Sequence, residues 1–189
     1  MSRSITQPAL QRAADKLGAS VAHVRAVIAV EAGGAGFLPD GRPKILFERH
    51  KFSQFTGGKF DATHGDLSSS VAGGYRGGEA EYLRLYKALQ LDGEAAVRAT
   101  SWGAFQIMGF NWQACGEKSL WGFLLAMHDN EDAQLALFVE FLLSQGLAPP
   151  LRARDWATFA RGYNGPGYAR NQYDTKLAAA YAAAGGHAE

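Results

Sequence analysis

Glu31 stands where a carboxylate is unusual. It continues the apolar stripe Val24, Val27, Ile28 at helical spacing, on the face that a helix over Val21 to Glu31 would bury. It also falls in the last turn, against the negative end of the helix dipole. Lost solvation and that dipole both disfavour ionisation, so the carboxyl is expected to keep its proton to a higher pH, as a general acid must. The pair Gly33-Gly34 would leave space beside it. The competing reading is a glutamate that leaves a frayed helix end for solvent. If the bond to be broken is glycosidic, a second carboxyl is needed to activate water or stabilise positive charge. Asp40, in a Pro-Asp-Gly turn, and Glu48, after Ile45-Leu46-Phe47, are the candidates. A chain reversal at Asp40-Gly41 would return Glu48 beside residues 33 and 34. It would leave Asp40 at the tip, about 20 Å off on a straight strand rising about 3.3 Å per residue, unless the tip folds across the cleft. Asp40 also fits ordinary turn chemistry, and Glu48 a salt bridge to Arg49 or Arg42.

Two later segments could hold a ligand. In Ser101-Trp102-Gly103-Ala104-Phe105-Gln106-Ile107-Met108-Gly109-Phe110, Gly103 permits close backbone approach and Gln106 offers a donor and an acceptor among apolar neighbours. Trp102, Phe105 and Phe110 could stack on sugar faces, or simply pack a helix with Gln106 turned outward. In Tyr163-Asn164-Gly165-Pro166-Gly167 a tight turn explains the glycines but not the tyrosine and asparagine at its entrance.

The elements that must position these groups are mostly helical. Helices are expected over residues 9–17, 21–31, 79–91, 92–100, 103–115, 120–127, 131–145, 154–163 and 169–184, from apolar spacings of three and four and from stops such as Gly18. The run from Phe37 to Phe47 reads as a small β-hairpin inserted after the second helix, limited by Pro39 and Pro43. Residues 53–78 read as a long functional loop, and residues 185–189 as a frayed tail. No linker divides the 189 residues, so one domain is expected, at most two lobes around a cleft, with no separate binding module.

Composition narrows the function. Nineteen basic against eighteen acidic residues give a formal charge of +1, unlike the clustered basic excess of a nucleic-acid-binding module. With 47% apolar residues a real core can form. Cys115 is the single cysteine, and His50, His64 and His128 lack metal-ligand spacing, so neither a disulfide, a metal nor a cofactor is expected. Trp112, Trp121 and Trp156 read as packing residues. The first residues are polar, unlike a signal peptide, and the apolar runs fall short of the roughly 20 residues a bilayer span needs, so no stable membrane association is expected.

Taken together, Val30-Glu31, the run from Gly36 to His50, Ser101-Trp102-Gly103-Ala104-Phe105-Gln106-Ile107-Met108-Gly109 and Tyr163-Asn164-Gly165-Pro166-Gly167-Tyr168 resemble the phage endolysin N-acetylmuramidases, within the goose-type lysozyme and lytic transglycosylase superfamily. The resemblance runs from about Ala9 to Ala184. It implies a lysozyme-like α+β fold and cleavage of the β-1,4 bond between N-acetylmuramic acid and N-acetylglucosamine in peptidoglycan. It implies Glu31 as general acid and Gln106, Tyr163 and Asn164 as residues lining the sugar cleft; Ser101 and Phe110 of the same segment are further substrate-binding candidates. A Glu followed nine positions later by Asp is similar to phage lysozymes and favours Asp40 as the second carboxyl, whereas the hairpin geometry favours Glu48. The alternatives are a lytic transglycosylase and an inactive sugar-binding module; Ala32 replaces the serine usual after the catalytic Glu of transglycosylases, and Gly162 the alanine usual before Tyr-Asn, which argues against an anhydro-sugar product. A monomer made in the host cytoplasm is expected, and the resemblance implies that it reaches the cell wall through a holin pore.

Overall fold

A computed structural model describes residues 4–32 and 34–186. The expectations placed on Gly33, on the first three residues and on the last three lie outside the described residues. The fold is mainly helical, with a small antiparallel sheet. Helix α1 (Gln7–Leu17) starts at Thr6, whose hydroxyl accepts from the Ala9 N–H, with a proline in its first turn, where the missing N–H costs nothing. Helix α2 (Val21–Glu31) starts at Ser20, whose N–H donates to His23 Nδ1 at 3.2 Å. Helices α3 (Arg49–Phe55), α4 (Ala80–Leu91) and α5 (Gly93–Arg98) pack around the sheet. Helices α6 (Leu120–Asp129) and α7 (Glu131–Ser144) follow, α7 capped by Asn130, whose side chain accepts from the Ala133 N–H. The last are α8 (Ala148–Arg152), α9 (Trp156–Asn164) and α10 (Tyr173–Ala183).

Helix α10 packs against both α2 and α9, and so brings the ends of those two helices into one region. The apolar stripe of α2 behaves as its spacing requires: Val24 and Val27 are buried in the core with Phe138, Leu142, Phe159 and Leu177, and Glu31 at its foot is half-buried. Burying a side chain the size of valine or leucine contributes about 1.5–3 kcal/mol, so the stripe fixes the roll of α2 and thereby the direction of Glu31.

The β structure differs from expectation. The hairpin closes tightly: Phe37 bridges Pro43, and Leu38 and Lys44 donate to the Arg42 and Gly36 carbonyls, both at 2.8 Å. The chain then leaves the hairpin. Strand β1 (Ile45–Phe47) pairs with β2 (Thr100–Trp102), Leu46 opposite Ser101, and β2 pairs with β3 (Ile107–Met108). A helix over 103–115 does not form, because Gly103 (φ 73°) and Gln106 (φ 48°) adopt the left-handed region and turn the chain back on itself. Gly109 then presses on α5, where an added Cβ would lie 2.1 Å from the Val97 carbonyl oxygen. The expected long loop begins later than residue 53, since its first residues finish α3. Helix α8, opened by Pro149 and Pro150, was not expected.

Below the sheet lies a buried ion pair. Glu81 and Arg84 meet at 2.8 Å, and Arg84 also donates to the Phe47 and Asp66 carbonyls, both at 2.9 Å. Glu81 accepts from the backbone N–H groups of Phe47, Arg76 and Gly77. Burial alone would raise the Glu81 pKa, but those three donors and Arg84 outweigh it and hold the carboxyl below the ordinary range. The pair ties β1, α4 and the loop between them into one unit.

Candidate active site

The ends of α2 and α9 meet at Glu31. Asn164, the last residue of α9, donates from Nδ2 to Glu31 Oε1 at 2.9 Å. Burial raises the Glu31 pKa above the ordinary glutamate value, and the bond from Asn164 offsets part of that rise. Tyr163 packs edge-on against Phe138 and Phe141 and directs its hydroxyl to the Phe105 carbonyl at 3.4 Å. Burial first, then the neighbouring Glu31 charge, keeps its phenol protonated well beyond the usual range, so it serves as a donor and an apolar wall.

Opposite this helical wall stands the turn between β2 and β3. Gln106 does not face outward. Its Oε1 accepts from Ser101 Oγ at 2.8 Å, and its Nε2 donates to the Gly103 carbonyl at 2.8 Å. A left-handed glutamine is uncommon, and these bonds stabilise the turn. Glu31, Tyr163 and Asn164 on one side, with Gln106, Met108 and Asn111 on the other, line a cleft of about 340 Å³. Of the expected ligand residues, Gln106, Tyr163 and Asn164 are therefore gathered with Glu31. Ser101 is buried, does not line the cleft, and donates from its hydroxyl to Gln106. Phe110 does not line the cleft; it meets Phe55 edge-on at 5.8 Å under the Lys51 ammonium.

The two further carboxylates also lie outside the cleft lining. Asp40 is taken up by its turn: it accepts from the Arg42 backbone N–H at 3.0 Å and from Arg42 Nε at 2.8 Å. Glu48 closes β1, where its N–H donates to the Ala99 carbonyl. Its carboxyl takes the Tyr75 hydroxyl at 2.7 Å and lies 3.2 Å from His50 Nδ1, so its partners are not the arginines expected for it. Asn111 and Phe141 escaped sequence reasoning, for each sits in an unremarkable helical or turn context whose direction only the tertiary fold sets. Trp121, expected to pack, is 74% exposed. Among the described residues no group of three or more His, Cys, Asp or Glu side chains could hold a metal ion, and no helix is long and apolar enough to cross a membrane.

No curated protein matched the chain. Among solved structures, the crystal structure of the Burkholderia AP3 phage endolysin matches with a TM-score of 0.93 and 48% identity, over 98% of this chain and 73% of that one. The family model for N-acetylmuramidase matches residues 20–185. With nearly its whole length so matched, and with a half-buried carboxyl at the end of its second helix facing a cleft, the chain belongs to the N-acetylmuramidase family.

Proposed function

We propose that the chain is a phage-type endolysin that hydrolyses the β-1,4 bond between N-acetylmuramic acid and N-acetylglucosamine of peptidoglycan, with Glu31 as general acid. The observation that carries this reading is the state of Glu31. It is half-buried beside a cleft and its pKa is raised by burial. Its Oε1 is fixed by Asn164, while Oε2 has no hydrogen-bond partner among the described residues. A protonated Oε2 can donate to the leaving glycosidic oxygen while Asn164 holds the carboxyl in place. The Asn111 amide on the opposite wall suits an acetamido group of the substrate, while the Gln106 amide, bonded within its turn, shapes that wall.

For the second carboxyl, Glu48 is proposed on the hairpin geometry, with Asp40 as the alternative; neither lines the cleft. Arg42 takes up Asp40 in its own turn, and Glu48 accepts from the Tyr75 hydroxyl. Its role would be to orient a water for attack on the anomeric carbon, in a single displacement with inversion. In the same reading the chain works as a monomeric catalytic unit on glycan strands, without cofactor or nucleic acid. It is made in the host cytoplasm and passes to the cell wall through a holin-type pore.

One observation favours a second reading. Among the described residues lining the cleft, Glu31 is the one carboxylate, which suits a lytic transglycosylase in which the same group acts as acid and then base while the muramic 6-hydroxyl closes an anhydro ring. Mass spectrometry of digested peptidoglycan separates the two, since hydrolysis adds the mass of water and transglycosylation does not. Glu31→Gln should abolish product in either case, and retained cleavage by that variant would refute the assignment.

A further inference from the structure

The first turns of α7 reach into the walls of the cleft. Gln134 is fully buried. Its Oε1 accepts from the Ala104 N–H at 2.9 Å, and its Nε2 donates to the Met127 carbonyl at 2.9 Å and, more weakly, to the Gly36 carbonyl at 3.5 Å. One turn earlier, Glu131 Oε1 accepts from the Gly36 N–H at 2.6 Å. Gly36 is therefore bracketed from both sides by α7, at the start of the hairpin that follows Glu31. Ala104 immediately precedes Phe105 and Gln106 in the opposite wall. The fit leaves no slack: a Cβ on Gly36 would lie 2.2 Å from Gln134 Oε1.

We infer that Glu131 and Gln134 are positioning residues that fix the separation between the Glu31 side of the cleft and the turn carrying Gln106. The inference rests on the function proposed above. Neither side chain lines the Glu31 cleft, so each acts through the backbone it holds. Catalytic rates are steep in this kind of geometry: a displacement of about 1 Å caused far from the chemistry can cost on the order of 100-fold. A buried, fully bonded amide such as Gln134 is suited to holding such a spacing.

The test uses the whole chain acting on soluble glycan strands, with kcat/KM measured per folded molecule at a temperature where circular dichroism shows no unfolded protein. Glu131→Ala removes the acceptor for Gly36, whereas Glu131→Gln keeps an acceptor oxygen there. The alanine variant should lose about 10-fold or more in kcat/KM, and the glutamine variant should return to within about 3-fold of the parent. Both should keep the falling limb of the pH–rate profile in place, because neither change touches the surroundings of Glu31. Gln134→Met should lose activity in the same way; if it does not fold, the Glu131 pair decides alone. A fully folded Glu131→Ala with the parent kcat/KM overturns the inference, whatever its melting temperature. Glu31→Gln is run beside them, and turnover by that variant would count against the proposed function rather than against this positioning role.

Discussion

Replacing Gly103 by alanine should be costly for two separable reasons. Gly103 has φ 73°, and an L side chain in that region costs about 1–2 kcal/mol. The added Cβ would also stand 2.7 Å from both Cδ and Oε1 of Gln134 and 3.0 Å from Met127 Sδ. Gln134 cannot give way without surrendering its bonds to Ala104 and Met127, so overpacking adds about 1–3 kcal/mol. The sum, about 2–5 kcal/mol, is a large part of an ordinary stability of about 5–15 kcal/mol. For a chain of this size it should lower Tm by roughly 4–20 °C. Gly78 supplies the control. Its φ is 54° and nothing lies within 4 Å of the place its Cβ would take, so Gly78→Ala should show the backbone cost alone. Calorimetry of the two variants isolates the contact with Gln134 as their difference. Equal Tm losses for Gly103→Ala and Gly78→Ala would refute the argument that α7 braces this turn.

Arg84→Met would strand the Glu81 carboxylate in the core and should destabilise by about 3–5 kcal/mol in urea unfolding; a loss under about 1 kcal/mol would contradict the buried-pair reading. Asn164→Ala removes the bond that favours the ionised form of Glu31. The falling limb of the pH–rate profile should therefore move to higher pH, and a limb that stays or moves down would contradict it. Glu31→Gln should be at least as stable as the parent. The raised pKa of Glu31 contributes stability below its unfolded value, which is lost as pH rises through the folded value, so a neutral amide escapes that loss. Thermal melts across pH check this, and a lower Tm for the variant at alkaline pH would count against it.

How much of this was legible in the residue string depended on periodicity. The stripe Val24, Val27, Ile28, Glu31 fixes its own burial through helical spacing, and it gave both the helix and the odd placement of a carboxyl. Tyr163-Asn164 was visible because those residues were more than a turn required. A helix is expected after Trp102, but the backbone there is governed by Gly103, by Gln106 in a left-handed conformation, and by the pairing of residues 107–108 with β2, itself paired with residues 45–47 far away in sequence. Such long-range pairing leaves no local mark. Gln134 and Glu81 looked like ordinary polar positions on helices, and only the tertiary fold shows them buried and fully bonded. Asp40 and Glu48 could not be ranked from spacing. Their different partners, Arg42 for one and Tyr75 with His50 for the other, come from the way the hairpin closes and the chain then joins β2.

Catalysis of the proposed kind depends on the protonation of one side chain, Glu31. Carbon-13 NMR of carboxyl-labelled protein, with Glu31→Gln used to assign the signal, would follow the Glu31 titration directly. The expected result is a midpoint above that of ordinary glutamates, coinciding with the pH at which glycan cleavage declines. A midpoint at or below the ordinary value, or cleavage that continues unchanged through the Glu31 titration, would contradict it.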